Sequence, residues 1–426
     1  MSAVASFRKG EQRGGTQRDE GAWPRVRLGD VMQRYNEIVH PGDRDVGEAV
    51  FVGLEHIEPG TGRRIGSGTV DFARMTGRKP TFRRGQIVYG YLRPYLNKVW
   101  IAEFDGCSSV DQFAFEVNRK LASVDFIASF LRSEVFLERS SIVTTTGQLP
   151  RISIEAIAAV ELELPPLAVQ ERIAARLTEQ LAAAECGRAA ARERLAVAEA
   201  LPTAYYREFF GHDAPFSAAP APPTEPTEPS WRWSILTDLA RLATGHTPSR
   251  RHPEYWNGDI PWLQLPDIRA LDGRCAMETS EYTNQLGIDN SAAVLLPTDT
   301  VCMSRTASVG FVTIMGRPMA TSQDFVNWVC GPDLVPEFLM HLLIACRKPI
   351  RDLGSGAVHH TIYFPTVEAF SICVPPVAEQ RRIVTNLSRR LEEADKLIDR
   401  LRDELALIDA LPAALLRCAF GAKHQA

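Results

Sequence analysis

Arginine is the residue with most to offer chemically in this chain, and it is unevenly placed. Between Arg63 and Arg84 seven basic residues stand against the single Asp71, although the whole chain carries a net charge of −4. Arg63, Arg64, Arg78, Lys79, Arg83 and Arg84 have the chemistry to hold phosphate groups, because a guanidinium presents a planar fork of donors to a phosphate or a guanine edge. The 41 arginines against seven lysines also follow from a GC-rich coding sequence. Catalytic candidates are fewer. His359 and His360 are adjacent, so on extended backbone their side chains point apart, and a polar loop contact is expected rather than a ligand pair. Pro266-Asp267 could begin a nuclease carboxylate cluster, but no Glu-x-Lys follows it. No GxxxxGK[ST] is present to cradle a nucleotide. The Pro-Pro pairs at 165–166 and 375–376 lack the Asn/Asp-Pro-Pro-Tyr frame of amino-methyltransferases. The eight cysteines form no CxxC, and no His, Cys, Asp and Glu set has metal spacing, so reduced cysteines and no metal are expected. No activity of its own is expected.

What positions these residues is a repeat. LPPLAVQERIAARL at 164–177 returns as VPPVAEQRRIVTNL at 374–387, an offset of 210 that holds without a gap to Gly211 and Gly421. It pairs Gln170 with Gln380, Arg172 with Arg382, Pro202 with Pro412 and Phe210 with Phe420. The period is too long for a solenoid, so the chain reads as two copies of one unit, each a globular part followed by a long helix. The expected organisation is a flexible lead over 1–22, a globular part over 23–164, a helical region over 165–211, a Pro-rich linker over 212–230, a second globular part over 231–374, a second helical region over 375–421 and a tail over 422–426.

Short β-type runs at 49–53, 86–89, 98–101 and 113–117 alternate with turns in the first part, and 124–139 has helical spacing. A strand is expected over 157–164, and 144–150 reads as a polar loop. The second part repeats the order: 301–303 and 310–314 as strands, 335–347 as the helix, 354–360 as the loop. The linker carries six prolines between Ala214 and Ser230 and no large aliphatic residue, which predicts a solvated spacer. No run is long and apolar enough for a membrane span, and no secretory signal opens the chain, so a cytoplasmic protein is expected.

In the second helix Ile383, Leu387, Leu391, Ala394, Ile398, Leu401, Leu405 and Ile408 step by four or three, a heptad seam. The matching first-helix positions are Ile173, Leu177, Leu181, Ala184, Arg188, Ala191, Leu195 and Ala198, so the two seams are expected to pair with each other. Pro202 is expected to break the first helix. Two repeats about a twofold axis would set the helices antiparallel, as a spacer of about 50 Å, on the scale of one to two turns of B-DNA. The fold class expected is α+β, two strand-rich mixed α/β domains separated by two long helices in an antiparallel coiled coil.

GHTPSRRHPEYWNGDIPW at 245–262 closely resembles the opening motif of target recognition domains in the specificity subunits of type I restriction–modification systems. QIVYGYLRPYLNK at 86–98 is similar to the middle motif of another branch, and the two Pro-Pro-x-Ala-x-Gln segments resemble the starts of the family's central and distal helices. The first unit lacks the Gly-x-Thr-Pro opening. The resemblance, over about residues 23–421, implies a non-catalytic DNA reader. Each head would recognise one half of a bipartite, asymmetric site in double-stranded DNA. The helices would dock two methyltransferase subunits, and two motor–nuclease subunits would complete the complex. The partners, not this chain, would bind S-adenosylmethionine, ATP and Mg. Candidate DNA contacts in the first head are the six basic residues of the 63–84 run with Tyr91, Arg93, Tyr95, Gln148 and Arg151. In the second they are Arg250, Arg251, Asn257, Arg305, Ser308, His359 and His360. Tyr255, Trp256 and Trp262 read as core aromatics. Gln170, Arg172, Gln380 and Arg382 are candidate partner contacts, against the alternative of capping the first helical turn. The competing reading is a coiled-coil scaffold that binds proteins only.

Overall fold

The computed structural model describes residues 23–43, 47–140, 149–211, 215–219, 221, 223–226, 228–354 and 360–421. The chain divides into two compact units, one made of residues up to Arg192 together with those from Asp403 onward, the other of Glu193–Arg402. The globular part of each unit is its head.

In the head of unit one, a four-stranded antiparallel sheet runs in the order Met32–Tyr35, Gln112–Val117, Ile87–Gly90, Val99–Ile101. Its central strand explains the unbroken apolar run Ile87-Val88-Tyr89. Successive side chains leave opposite faces of a strand. Ile87 and Tyr89 pack with Phe126, Phe130 and Phe136 on the helical side, whereas Val88 packs with Trp100, Val52 and Phe82 on the other. A strand covered on both faces loses the apolar–polar alternation of a half-exposed one. Val52 and Phe82 belong to a second, five-stranded sheet, Ile38–Val39, Lys79–Phe82, Gly106–Ser108, Glu48–Val52, Gly68–Asp71.

The head of unit two repeats the plan. Its sheet runs Ala240–Thr244, Phe325–Cys330, Val301–Ser304, Val312–Met315, Cys275–Ala276. Val301 and Met303 face the cluster with Phe338 and Leu342, and Cys302 faces the opposite one with Leu263 and Phe325.

The structure corrects several boundaries. The pattern over 124–139 is two helices, Val124–Leu131 and Glu134–Arg139, because Ser133 turns to extended backbone and its hydroxyl caps the second by accepting from the Phe136 amide at 3.2 Å. The helix expected over 335–347 is likewise Pro336–Ala345 followed by Arg347–Asp352. Residues 157–164 are not one strand. Ser153 caps a helix, Ile154–Ala159, and only Glu161–Glu163 is extended, paired antiparallel with Arg25–Arg27. Pro202 does not end the first long helix, which runs from Leu167 to Phe210 as the second runs from Val377 to Phe420 through Pro412. Proline costs such a helix an amide bond, on the order of 3 kcal/mol. The aromatic turn beyond Pro202 offsets that cost: Tyr205, Tyr206, Phe209 and Phe210 all pack into the core of unit two. The Pro-rich stretch also holds a strand, Phe216–Ser217, paired with Ser371–Val374, and Phe216 meets Phe370 edge to face at 4.8 Å.

The helical seams are the covered faces. In unit two, Ala198, Ile398 and Leu401 are buried together with Leu195 and Leu201 against them. There Glu199 meets Arg402 at 2.8 Å and Glu208 meets Arg390 at 2.6 Å, so numbers rise on one helix as they fall on the other, which is antiparallel pairing. In unit one Leu177, Ala184 and Ala191 are buried, Arg188 lies 2.6 Å from Asp409, and Phe420 packs edge to face on Phe126 and Phe130 at 5.2 and 5.4 Å. Among the described residues no helix is long and apolar enough to cross a membrane.

Candidate nucleic-acid interface

Each head carries the same backbone frame at the end of its central strand. In unit one the strand Ile87–Gly90 delivers Tyr91, whose amide donates to the Asp111 carbonyl at 3.1 Å and whose carbonyl accepts from Ile152 at 3.2 Å. Leu92 then bridges Arg151, and the Arg93 amide donates to the Pro150 carbonyl at 2.8 Å. In unit two the strand Val301–Ser304 delivers Arg305, whose amide donates to Asp324 at 2.8 Å and whose carbonyl accepts from Ile362 at 2.9 Å. Thr306 bridges Thr361, and the Ala307 amide donates to His360 at 3.0 Å. Both frames hold a non-glycine residue in the left-handed region, Arg93 at φ 53° and Ala307 at φ 58°. That conformation costs about 1 kcal/mol or more and persists where surrounding bonds over-determine it, as they do here.

The side chains on the first frame form an aromatic and cationic surface. Tyr91 stacks on Phe113 at 4.3 Å and its hydroxyl donates to the Val110 carbonyl at 2.8 Å. The Arg34 guanidinium lies 5.1 Å from the Phe113 ring centre. Burial raises the Tyr91 phenol above its ordinary pKa, and Asp111 adds to this, whereas the charges of Arg151, Arg34 and Arg78 pull it down. Arg78, Arg93, Tyr95 and Arg151 are exposed. The structure thus gathers Tyr91, Arg78 and Arg151 and adds Arg34 and Phe113, which the sequence pattern did not single out. The alternation of the strand Met32–Tyr35, with Arg34 between a half-buried and an exposed neighbour, is too weak a signal for that. Gln148 lies outside the described residues.

The basic run disperses instead. Arg63 pairs with Glu58 at 2.9 Å, and Arg64 with Glu103 at 3.3 Å while lying over Phe104. Arg83 donates to the Tyr35 hydroxyl at 2.7 Å and to Glu37 at 3.0 Å, and Lys79 sits 4.8 Å over the Phe51 ring. Of the six candidates in that run only Arg78 and Arg84 lack both an ion pair and a ring contact among the described residues. Three charges of the surplus visible in sequence are therefore paired with carboxylates outside the run, two of them, Glu37 and Glu103, distant along the chain.

In the second head the motif at 245–262 folds as it does because backbone runs close to backbone. A Cβ on Gly245 would stand 2.1 Å from the Ser322 carbonyl oxygen, and one on Gly258 would stand 2.5 Å from that of Thr283. Trp262 is buried, Trp256 meets it edge to face at 5.0 Å, and the indole N–H groups of Trp256 and Trp262 donate to the Ser249 and His246 carbonyls respectively. Arg250 belongs to this cluster, 3.8 Å over the Trp256 ring and paired with Glu281 at 2.5 Å. Arg251 and Asn257 are exposed, Asn257 at φ 59° beside the register shift of the strand Trp256–Leu263. Arg305 donates to the Ile362 carbonyl at 3.3 Å and lies over Phe364, and the Ser308 hydroxyl accepts from Arg269 at 2.8 Å. His360 is exposed beside the Gly354 carbonyl. His359 lies outside the described residues.

The glutamines expected to contact a partner are a correction. Gln170 is fully buried: its carbonyl accepts from the Ser123 amide at 2.9 Å, and its amide donates to the Leu121 and Pro165 carbonyls at 3.1 and 2.7 Å. Gln380, equally buried, repeats this with Val335 at 2.8 Å and with Asp333 and Pro375, both at 2.9 Å. Each ties the first turn of a long helix to its own head, so neither is open to a partner. Arg172 and Arg382 are exposed, the latter bonded to Glu379.

Residues 230–407 match the family model for the type I restriction modification DNA specificity domain. The specificity subunit of the type I restriction enzyme MjaIX of Methanocaldococcus jannaschii is 24% identical over 189 residues, 44% of this chain and 43% of that protein. That of the Escherichia coli enzyme EcoDI is 29% identical over 163 residues, 38% of this chain and 36% of its own. The chain thus aligns with less than half the length of these curated relatives. A structure from work on complex assembly and conformational transition of the type I R-M system aligns with a TM-score of 0.75 at 20% identity, covering 95% of this chain and 100% of that one. The HsdS subunit of Thermoanaerobacter tengcongensis aligns with a TM-score of 0.68 at 20% identity, covering 95% and 98%. At that identity the likeness is one of fold.

Proposed function

Because residues 230–407 match the family model for the type I restriction modification DNA specificity domain, we propose that the chain is the DNA-recognition subunit of a type I restriction–modification complex. The observation that carries this reading is the frame built twice. The same four backbone links hold a loop at the end of the central strand in each head, yet the residue they hold is Tyr91 in one and Arg305 in the other. A reader of a bipartite, asymmetric site needs that combination of one scaffold and two different reading surfaces.

In this reading each head contacts one half-site, with phosphate contacts setting the register and base-edge contacts the sequence. The paired helices fix the distance between the half-sites and dock methyltransferase subunits. S-adenosylmethionine, ATP and Mg are held by partner subunits, two methyltransferase and two motor–nuclease chains in the full assembly. This chain contributes recognition and no catalysis, in the cytoplasm where the DNA is.

The test is selection of a randomised duplex library by the purified full-length chain, with sequencing of the bound fraction. Two short, unlike sequence elements at a fixed separation are the expected result. Enrichment of no motif, with an affinity indifferent to salt, would overturn the reading, because phosphate contacts release counterions and make binding fall steeply as salt rises.

A further inference from the structure

The arginines around the two frames differ in what they are already doing. Around the second frame they are committed to their own head. Arg269 is bonded to the Ser308 hydroxyl and Arg305 to the Ile362 carbonyl. Arg347 holds both oxygens of Asp272, at 2.6 and 2.7 Å, and Arg351 donates to the Val309 carbonyl at 2.9 Å. Around the first frame, Arg34, Arg78 and Arg151 are all exposed, and none forms an ion pair among the described residues. Three positive charges act on the Tyr91 phenol against the single carboxylate of Asp111.

An exposed cluster of like charges repels itself unless a counter-charge arrives. The geometry also prepares one of these arginines for such a partner. Phe113 lies stacked on Tyr91, and the Arg34 guanidinium lies 5.1 Å from the Phe113 ring centre. A guanidinium held against a ring keeps its fork of N–H donors free at the edge, and less side-chain freedom remains to be lost when a phosphate binds.

We infer that the DNA backbone is gripped chiefly by the head of unit one, through Arg34, Arg78 and Arg151 beside the Tyr91–Phe113 stack, while the arginines around the second frame serve the fold of their own head. The inference rests on the proposed DNA-reading role and goes beyond it by dividing the electrostatic work unequally between the heads. It adds Arg34 as a phosphate contact.

The experiment is fluorescence anisotropy of the full-length chain with a labelled mixed-sequence duplex, between about 50 and 200 mM salt. Each phosphate contact contributes about 0.9 to the slope of log affinity against log salt. Arg34→Gln and Arg151→Gln are each expected to lower the slope by about 0.9, and the triple variant with Arg78→Gln by about 2 to 3. Arg34→Lys keeps the charge and should keep most of the slope, which separates charge from folding. Arg63→Gln, which removes an arginine already paired with Glu58, should leave the slope as it is. A steep wild-type slope left unchanged in the triple variant overturns the inference and spares the recognition reading. So does an equal loss from Arg305→Gln and Arg269→Gln. A wild-type chain whose duplex affinity does not vary with salt overturns both.

Discussion

Replacing Gln380 by leucine keeps the size of the side chain and removes all three of its hydrogen bonds. The Val335 amide and the Asp333 and Pro375 carbonyls lose their side-chain partner in a place where Gln380 itself has no solvent exposure. A buried polar group stripped of its partner costs about 1–3 kcal/mol, with carbonyls toward the lower end because they have a second lone pair to satisfy elsewhere. One donor and two acceptors together give a loss of about 3–5 kcal/mol in the stability of unit two. That is a large share of the roughly 5–15 kcal/mol typical of a domain. The assay is urea unfolding monitored by tryptophan fluorescence, which favours unit two because Trp231, Trp233, Trp256, Trp262 and Trp328 all lie in it. Gln170→Leu should cost unit one a similar amount, since the two networks match bond for bond, and the readout there is amide exchange across 121–125. A loss below about 1 kcal/mol in either variant would refute the reasoning. Wild-type stability with impaired capture of a methyltransferase subunit would restore the glutamines as partner contacts.

Three further outcomes concern single sites. Burial lowers the His341 pKa to about 4, with Tyr206 and Ser388 as its hydrogen-bond partners; because the unfolded state then binds the proton more readily, the stability that the neutral ring contributes is present above about pH 6.5 and is lost as pH falls toward 4, by about 3 kcal/mol in all. Chemical denaturation at a series of pH values should show this loss in the wild type and a flatter profile in His341→Phe. Arg250→Ala removes the cation over Trp256 and the pair with Glu281, so it should lower the melting temperature of unit two along with DNA affinity. Arg251→Ala, at an exposed position without an ion pair among the described residues, should lower affinity alone; a melting shift as large as that of Arg250→Ala would contradict this, with differential scanning fluorimetry as the measurement. Phe420→Ala opens a gap against Phe126 and Phe130 and should cost unit one about 2–3 kcal/mol, read as a lower urea midpoint.

The repeat made the architecture legible. A gapless offset of 210 from Leu164 to Gly211, with matching seams, was enough to expect two strand-rich heads and an antiparallel helical pair, because periodicity along a helix survives translation into a buried face. Boundaries were less legible where one residue outweighs a pattern. Ser133 splits an apolar run that shows no break in spacing, and the aromatic tail beyond Pro202 holds a helix that proline alone would end. Charge was least legible. The run from Arg63 to Arg84 looked like a phosphate surface because its counter-ions, Glu37, Glu58 and Glu103, come partly from other strands and turns. Arg34 looked unremarkable because it lies far along the sequence from Tyr91 and from Arg151, with which it acts on the Tyr91 phenol.

The two frames hold different residues with the same bonds. The links that the two frames share are made by backbone atoms: amides of Tyr91 and Arg305, carbonyls of Asp111 and Asp324, amides of Arg93 and Ala307, carbonyls of Pro150 and His360. Backbone groups are indifferent to side-chain identity except where φ is positive, so a tyrosine and an arginine occupy matching places with the same bonds around them. The fixed cost is the left-handed residue, and both frames meet it without glycine, which confines the freedom of the loop as well as directing it. Substitution at the frame therefore alters the presented surface at little expense to the core. Substitution at Gln170 or Gln380, where a side chain does the holding, cannot.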